Sequence, residues 1–215
     1  MTNVIRRILL LGMFFVALVA CDDDGSTVPE PQPPGLRPLT APENLVYNIE
    51  VLYNDEVRTA AERRIEYEKL LAPPAGRDTC RSFFFEFMAP DEQGTPDLWG
   101  RDQEIQAHAN IFQSQASGEI YSLALEIEVL PPEDLNNPER PGWKEVFATN
   151  VHLRLLTNPY DGFEVIGGQE IFRTYPAGEH WVIGEWIELP RPAFRQSWAA
   201  VEPTSWGRIK AAYLR

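Results

Sequence analysis

Between Thr40 and Leu71 the apolar residues recur at helical spacing. Leu45, Val46, Ile49, Leu52 and Tyr53 form one stripe, and the spacing predicts a first helix. Thr40 and Glu43 read as its capping box, with Pro42 tolerated in the first turn. Thr59 and Glu62 form a second box, opening a helix that runs to about Leu71 and stops at Pro73 and Pro74. Ser82 to Met88 is a short aromatic run with the look of a strand. Gly100 to Gln113 returns to the helical period, with Ile105, His108, Ile111 and Phe112 on one face.

From Glu119 onwards the period changes to two. Tyr121, Leu123, Leu125, Ile127 and Val129 alternate with Ser122, Glu126 and Glu128, which predicts a half-buried antiparallel strand. Lys144 to Thr157 repeats the pattern. Phe147, Thr149, Val151, Leu153 and Leu155 fall on one face, and Asn150, His152 and Arg154 on the other. Phe163 to Tyr175 is a third long strand, interrupted by Gly167 and Gly168 at an expected bulge or bend. His180 to Leu189 is a fourth, and Asp161-Gly162 and Ala177-Gly178 mark turns. Helices first, then a short strand, a helix and four long strands: the order predicts an α+β fold with helices packed on a strongly curved antiparallel sheet.

The N-terminus carries a different pattern. Arg6 and Arg7 precede the apolar run Ile8–Ala20, which ends in small residues. A positive start, a short apolar core and a small-residue exit read as an export signal over residues 1–20. The run is short of the ~20 residues that a spanning helix needs. Leu18-Val19-Ala20-Cys21 resembles the lipobox of bacterial lipoproteins at all four positions. That resemblance implies a diacylglycerol thioether on Cys21, hence a membrane partner and a location in the cell envelope, facing the periplasm or the exterior. Residues 21–38 hold three consecutive aspartates and five prolines and read as an acidic tether. The folded domain then spans 39–190, and residues 191–215 form a basic extension.

Charge narrows the choice of partners. The chain has a formal net charge of −13, and removing residues 1–20 takes away two arginines and no acids. Nucleic acid is excluded as a partner, because phosphate binding needs a basic footprint. Residues 190–215 hold five basic residues and one acid. There "SWGRIKAAYLR" reads as a short helix with Trp206, Ile209 and Tyr213 on one side, either packed on the acidic body or set against anionic lipid. The chain has two cysteines, Cys21 and Cys80. With lipid on Cys21, Cys80 has no partner and reads as a small, partly buried residue. No cofactor or metal is expected, since the three histidines are scattered and no Cys/His spacing suits zinc.

The order of elements, with the stretches "ENLVYNIEVLYN", "WGRDQEIQAHANIF" and "HWVIGEWIELP", resembles the nuclear-transport-factor-2-like, or SnoaL-like, superfamily. Its cone-shaped fold is shared with ketosteroid isomerase and scytalone dehydratase. The resemblance implies a pocket between the helices and the concave sheet face. It also implies dimerisation through the outer sheet face in many members. The fold hosts enzymes, binding modules and dimerisation domains alike. His108, on an apolar helix face, and Glu185, on a strand face with Trp181, Ile183 and Ile187, are the candidate acid–base pair. Tyr121 and Thr149 are the further candidates for lining the pocket. Each has a plainer reading too: His108 as a hydrogen-bonded core residue, Glu185 as the partner of an arginine, Tyr121 as a core aromatic. No matched catalytic set appears. The expectation is therefore an anchored protein with a non-catalytic domain that binds a small apolar ligand or assembles with protein. The alternatives are an isomerase, dehydratase or hydrolase using His108 and Glu185, and a structural dimerisation module.

Overall fold

Thr59 caps α2 (Ala60–Leu70) as its sequence dictates, accepting from the Glu62 backbone N–H while the Glu62 carboxylate accepts from the Thr59 N–H. This computed structural model describes residues 35–74, 82–87, 98–189 and 202–214. The export signal, Cys21, most of the tether and Cys80 lie outside the described residues. Helix α1 (Pro42–Tyr53) begins one residue later than the Thr40 box requires. Ala41 is its N-cap, in extended backbone, and no side chain caps it. Helix α3 (Arg101–Ser117) starts after Gly100 and ends at Gly118, whose φ of 81° closes the helix in the left-handed region.

Among the described residues the sheet has eight strands. Six lie in the order β2 (Leu98–Gly100), β1 (Phe84–Glu86), β7 (His180–Glu188), β6 (Asp161–Ala177), β5 (Lys144–Asn158) and β3 (Ser122–Val129). The short β4 (Glu133–Asp134) pairs with β5, and β8 (Glu202–Pro203) with β6. The four long strands pair antiparallel, as their alternation predicts. The sheet is nonetheless mixed, because β1 joins β7 and β8 joins β6 in parallel. These segments are too short for their direction to be read from a periodic pattern.

Bulges set which residues face the helices. In β5 the buried residues are Val146 and Ala148, then Val151, Leu153 and Leu155, with Leu156 beside a further register shift near the strand's end. The parity switches at Asn150, the one non-glycine with positive φ (51°) among the described residues. Thr149 and Phe147 therefore leave the face that holds Val151, and Thr149 is only half buried. Opposite, Gly167 (φ 65°) and Gly168 supply the bend expected of them. A second shift, between Arg173 and Thr174 of β6, leaves Gly184 of β7 without a counterpart. Each bulge adds twist and bends the long strands around the helices.

The core lies between this curved sheet and α1, α2 and α3. α4 (Trp206–Ala212) closes it. Ser205 caps α4 by accepting from the Arg208 N–H, and Trp206, Ile209 and Lys210 are buried. Within the stretch expected as an appended extension, α4 is thus part of the core, and the face holding Trp206 and Ile209 is turned inward rather than towards lipid. Among the described residues no helix is long and apolar enough to cross a membrane.

Candidate functional site

Glu104 and His108 lie one helical turn apart on α3, so both project from the same face into the core. Both are fully buried, and so is Lys210, four positions after Trp206 on α4. A charged side chain is almost never fully buried unless paired. Lys210 Nζ donates to both carboxylate oxygens of Glu104, at 2.9 and 3.1 Å. The remaining positions on Glu104 are filled by Tyr67 O–H from α2 at 2.8 Å and by Trp99 Nε1–H from β2, also at 2.8 Å. The carboxylate therefore accepts from three side chains carried on three different elements.

The Lys210 ammonium is also boxed by rings. Its Nζ lies 3.3 Å from the Phe85 ring centroid and 3.9 Å from that of Trp186. Trp99 and Trp206 stand further out, at 5.7 and 5.9 Å. These faces carry negative charge and attract the cation. Burial raises the Glu104 carboxyl, but the Lys210 ammonium and the bonds from Lys210 and Tyr67 outweigh it and hold it below the ordinary carboxylate value. Burial lowers the Lys210 amine, and Glu104 opposes that shift.

Beside this pair, the proton positions around His108 follow from its partners. The Glu104 carbonyl only accepts, so His108 Nδ1–H donates to it at 2.9 Å. Nε2 then accepts from Tyr53 O–H at 2.9 Å, and the Tyr53 oxygen accepts from Trp206 Nε1–H at 3.0 Å. The imidazole is neutral in this arrangement. Burial lowers its pKa to about 4, and the nearby Glu104 charge only partly offsets this. The ring stacks on Tyr67 at 3.9 Å between centroids. Burial also pushes the Tyr53 and Tyr67 hydroxyls well up.

The other candidates lie elsewhere. Glu185 follows Gly184 at the β7 bulge and points away from Trp186, to the side covered by Arg140 and Trp143. There it pairs with Arg140 and with Arg173 Nη1 at 3.0 Å. The arginine-partner reading of Glu185 therefore describes it, and the sheet separates it from His108. Tyr121 precedes β3, whose pairing begins at Ser122, and is 63% exposed, so it does not line the interior. Thr149 was turned aside by the Asn150 bulge. On the outer face His152 bonds Glu164 across the strands at 2.8 Å. An open depression at the N-terminal end of α2 is lined by Val57, Arg58, Glu62 and Glu66, apart from the buried cluster. No group of three or more metal-ligating side chains occurs among the described residues.

Sequence reasoning found His108 and missed Glu104, Lys210, Tyr53, Tyr67 and Trp99. One signal was present: Glu104 shares the helical face of His108 at i−4. Nothing along the chain announces that Lys210 meets it.

No protein-family model matches the sequence, and no curated protein matches it. Solved structures with a similar outline include an NTF-2-like protein of unknown function from Shewanella oneidensis, at 12% identity and a TM-score of 0.42, covering 68% of this chain and 93% of that one. A domain of unknown function with a cystatin-like fold from Nostoc punctiforme gives 12% and 0.40, covering 69% and 78%. A function-unknown protein from Mycobacterium tuberculosis gives 11% and 0.40, covering 79% and 85%.

Proposed function

We propose that this chain is a lipid-anchored protein of the cell envelope whose folded domain is a non-catalytic binding and assembly module. The lipobox-like Leu18–Cys21 and the acidic tether after it support the anchor. One observation carries the non-catalytic reading. The polar groups of the buried cluster are engaged by one another and by the tyrosines and tryptophans around them, and neither Glu104, His108 nor Lys210 has a buried side-chain nitrogen or oxygen without a partner. A general acid or base needs a proton within reach on a substrate, and here that space is taken by Trp206, Lys210 and Tyr67. Nor do His108 and Glu185 act as a pair, since they lie on opposite sides of β7.

Two measurements test the proposal. Replacing Cys21 by Ser in the full chain is expected to move the protein from the membrane fraction to the soluble fraction of the envelope. Unchanged membrane association overturns the anchor. Native mass spectra of the wild-type protein are expected to show a folded chain or its oligomer. Turnover of a co-purified small molecule by the wild type, lost in His108→Gln with the fold intact, overturns the non-catalytic reading.

A further inference from the structure

We propose that the box formed by Glu104, Phe85, Trp99 and Trp186 is a recognition site for a primary alkylammonium group, which Lys210 fills here as an internal ligand and for which an external amine competes. The inference rests on reading the domain as a binding module, and replaces the apolar ligand expected from sequence by a cationic one.

The anionic half of the box is assembled by the body of the domain alone. Trp99 Nε1–H and Tyr67 O–H fix the Glu104 carboxylate from β2 and α2, each at 2.8 Å. Phe85 and Trp186 stand on adjacent parallel strands at paired positions, with ring centroids 5.5 Å apart. Trp186 is held in turn by its Nε1–H to Glu170 at 2.9 Å. None of these contacts involves α4. A carboxylate among aromatic faces is the chemistry that recognises an organic cation: charge-assisted hydrogen bonds to the oxygens, and ring faces around the remaining N–H and the first methylenes. The Lys210 ammonium uses both, 2.9 Å from Glu104 Oε1 and 3.3 Å from the Phe85 centroid. Its four-carbon stem sets the ligand class as an unbranched primary amine.

The cation, by contrast, arrives on a separate short helix, whose Trp206 and Ile209 are packed into the core. α4 has seven residues. The last backbone bond tying this C-terminal stretch to the sheet is Thr204 N–H to Glu164 O at 3.0 Å, before the helix begins. Beyond it the attachments run through side chains: Trp206 to Tyr53, the Gly207 N–H to the Glu188 carboxylate, and Asn110 to the Tyr213 carbonyl. Lys210 is thus an internal ligand, and an external amine must displace it together with the packing of Trp206 and Ile209.

The test uses n-butylammonium chloride on the full chain, with n-butanol as the neutral isostere and sodium chloride to match ionic strength. Lys210→Ala is expected to bind n-butylammonium saturably by calorimetry and to be stabilised by it. n-Butanol is expected to bind at least about tenfold more weakly, and Glu104→Gln in the Lys210→Ala background to abolish the amine binding. In the wild type, amide exchange within α4 is expected to accelerate as the amine is raised to about a hundredfold above the Kd of the variant. A folded Lys210→Ala that binds neither compound, or both equally, overturns the site. Unchanged exchange of α4 in the wild type overturns the competition. If Lys210→Ala does not fold alone, refolding in n-butylammonium but not in n-butanol supports the site, and equal yields overturn it. Loss of the site leaves an assembly role through the outer surface intact, so the two readings fail separately.

Discussion

Lys210 Nζ lies 2.9 and 3.1 Å from the two carboxylate oxygens of Glu104, although 106 positions separate them in the chain. Both side chains are fully buried. Desolvating two charges costs several kcal/mol, and their attraction offsets it only when the remaining hydrogen-bonding positions are filled. Tyr67, Trp99 and the Phe85 face fill them. Removing one partner leaves the other charge buried and alone. Glu104→Gln and Lys210→Met are each expected to cost about 3–5 kcal/mol, and the double variant clearly less than the sum. Denaturant unfolding of the four proteins in this cycle gives the coupling; additive losses rule it out.

The neutral state of His108 makes stability depend on pH. Its pKa falls from the ordinary 6.5 to about 4 on folding. Between those values the unfolded chain holds a proton that the folded chain does not. The stabilisation is therefore complete above about pH 6.5 and is lost as pH falls towards 4. By linkage this amounts to about 3 kcal/mol across the window. The groups around the ring are Glu104, Lys210, Tyr53 and Tyr67. Glu104, also lowered, adds a loss of the same sign further into acid. Urea midpoints at pH 7 and pH 5 are expected to differ in the wild type and to converge in His108→Gln.

The helical stripes, the Thr59 box and the alternation of the long strands were all legible, because each is a local pattern whose period matches one element. The interior cluster was legible only at His108, which stands on an apolar face. Nothing local marks Glu104, and Lys210 falls in the stretch expected as a basic extension. Their burial depends on a contact between α3 and α4 that no local period encodes. Glu185 and Thr149 were misplaced for another reason. Strict alternation assigns faces correctly only up to the first bulge, and the bulges at Gly184 and Asn150 each reverse the count.

Two tyrosines are expected to behave differently. Tyr67 donates its hydroxyl proton to buried Glu104, so Tyr67→Phe leaves a carboxylate position unfilled and is expected to cost about 1–3 kcal/mol. Tyr121 is mostly exposed. Tyr121→Phe is expected to change stability by less than about 0.5 kcal/mol. Thermal unfolding of the two variants side by side distinguishes them, and equal losses contradict the placement of Tyr121 outside the core.

Asn150 holds φ at 51°, where a β-branched side chain meets its own backbone. Asn150→Val is expected to destabilise by about 1–2 kcal/mol, whereas Asn150→Gly is tolerated at that angle. Asn150 Nδ2 also donates to Glu128 Oε2. Both variants lose that exposed bond, so the difference between them isolates the backbone effect. Equal urea midpoints for Val and Gly rule out a positive φ at this position.

Gly184 is required by packing rather than by its backbone angle. A Cβ there meets Trp143 Cη2 at 2.6 Å, Trp143 Cζ3 at 2.8 Å and Tyr175 Cε1 at 3.2 Å. The Trp143 ring has little room to retreat, since it stacks on Tyr175 at 4.7 Å and the Arg140 guanidinium lies 5.0 Å from its centroid. Gly184→Ala is therefore expected to cost about 1–3 kcal/mol through overpacking. Arg140 also pairs with Glu185, the residue after the bulge. Displacing Trp143 thus loosens the lid over that carboxylate as well. If the clash with Trp143 is the cause, Gly184→Ala costs markedly less in a Trp143→Leu background than in the wild type, as a urea-unfolding cycle will measure. An unchanged penalty in that background instead places the strain in the β7 bulge itself.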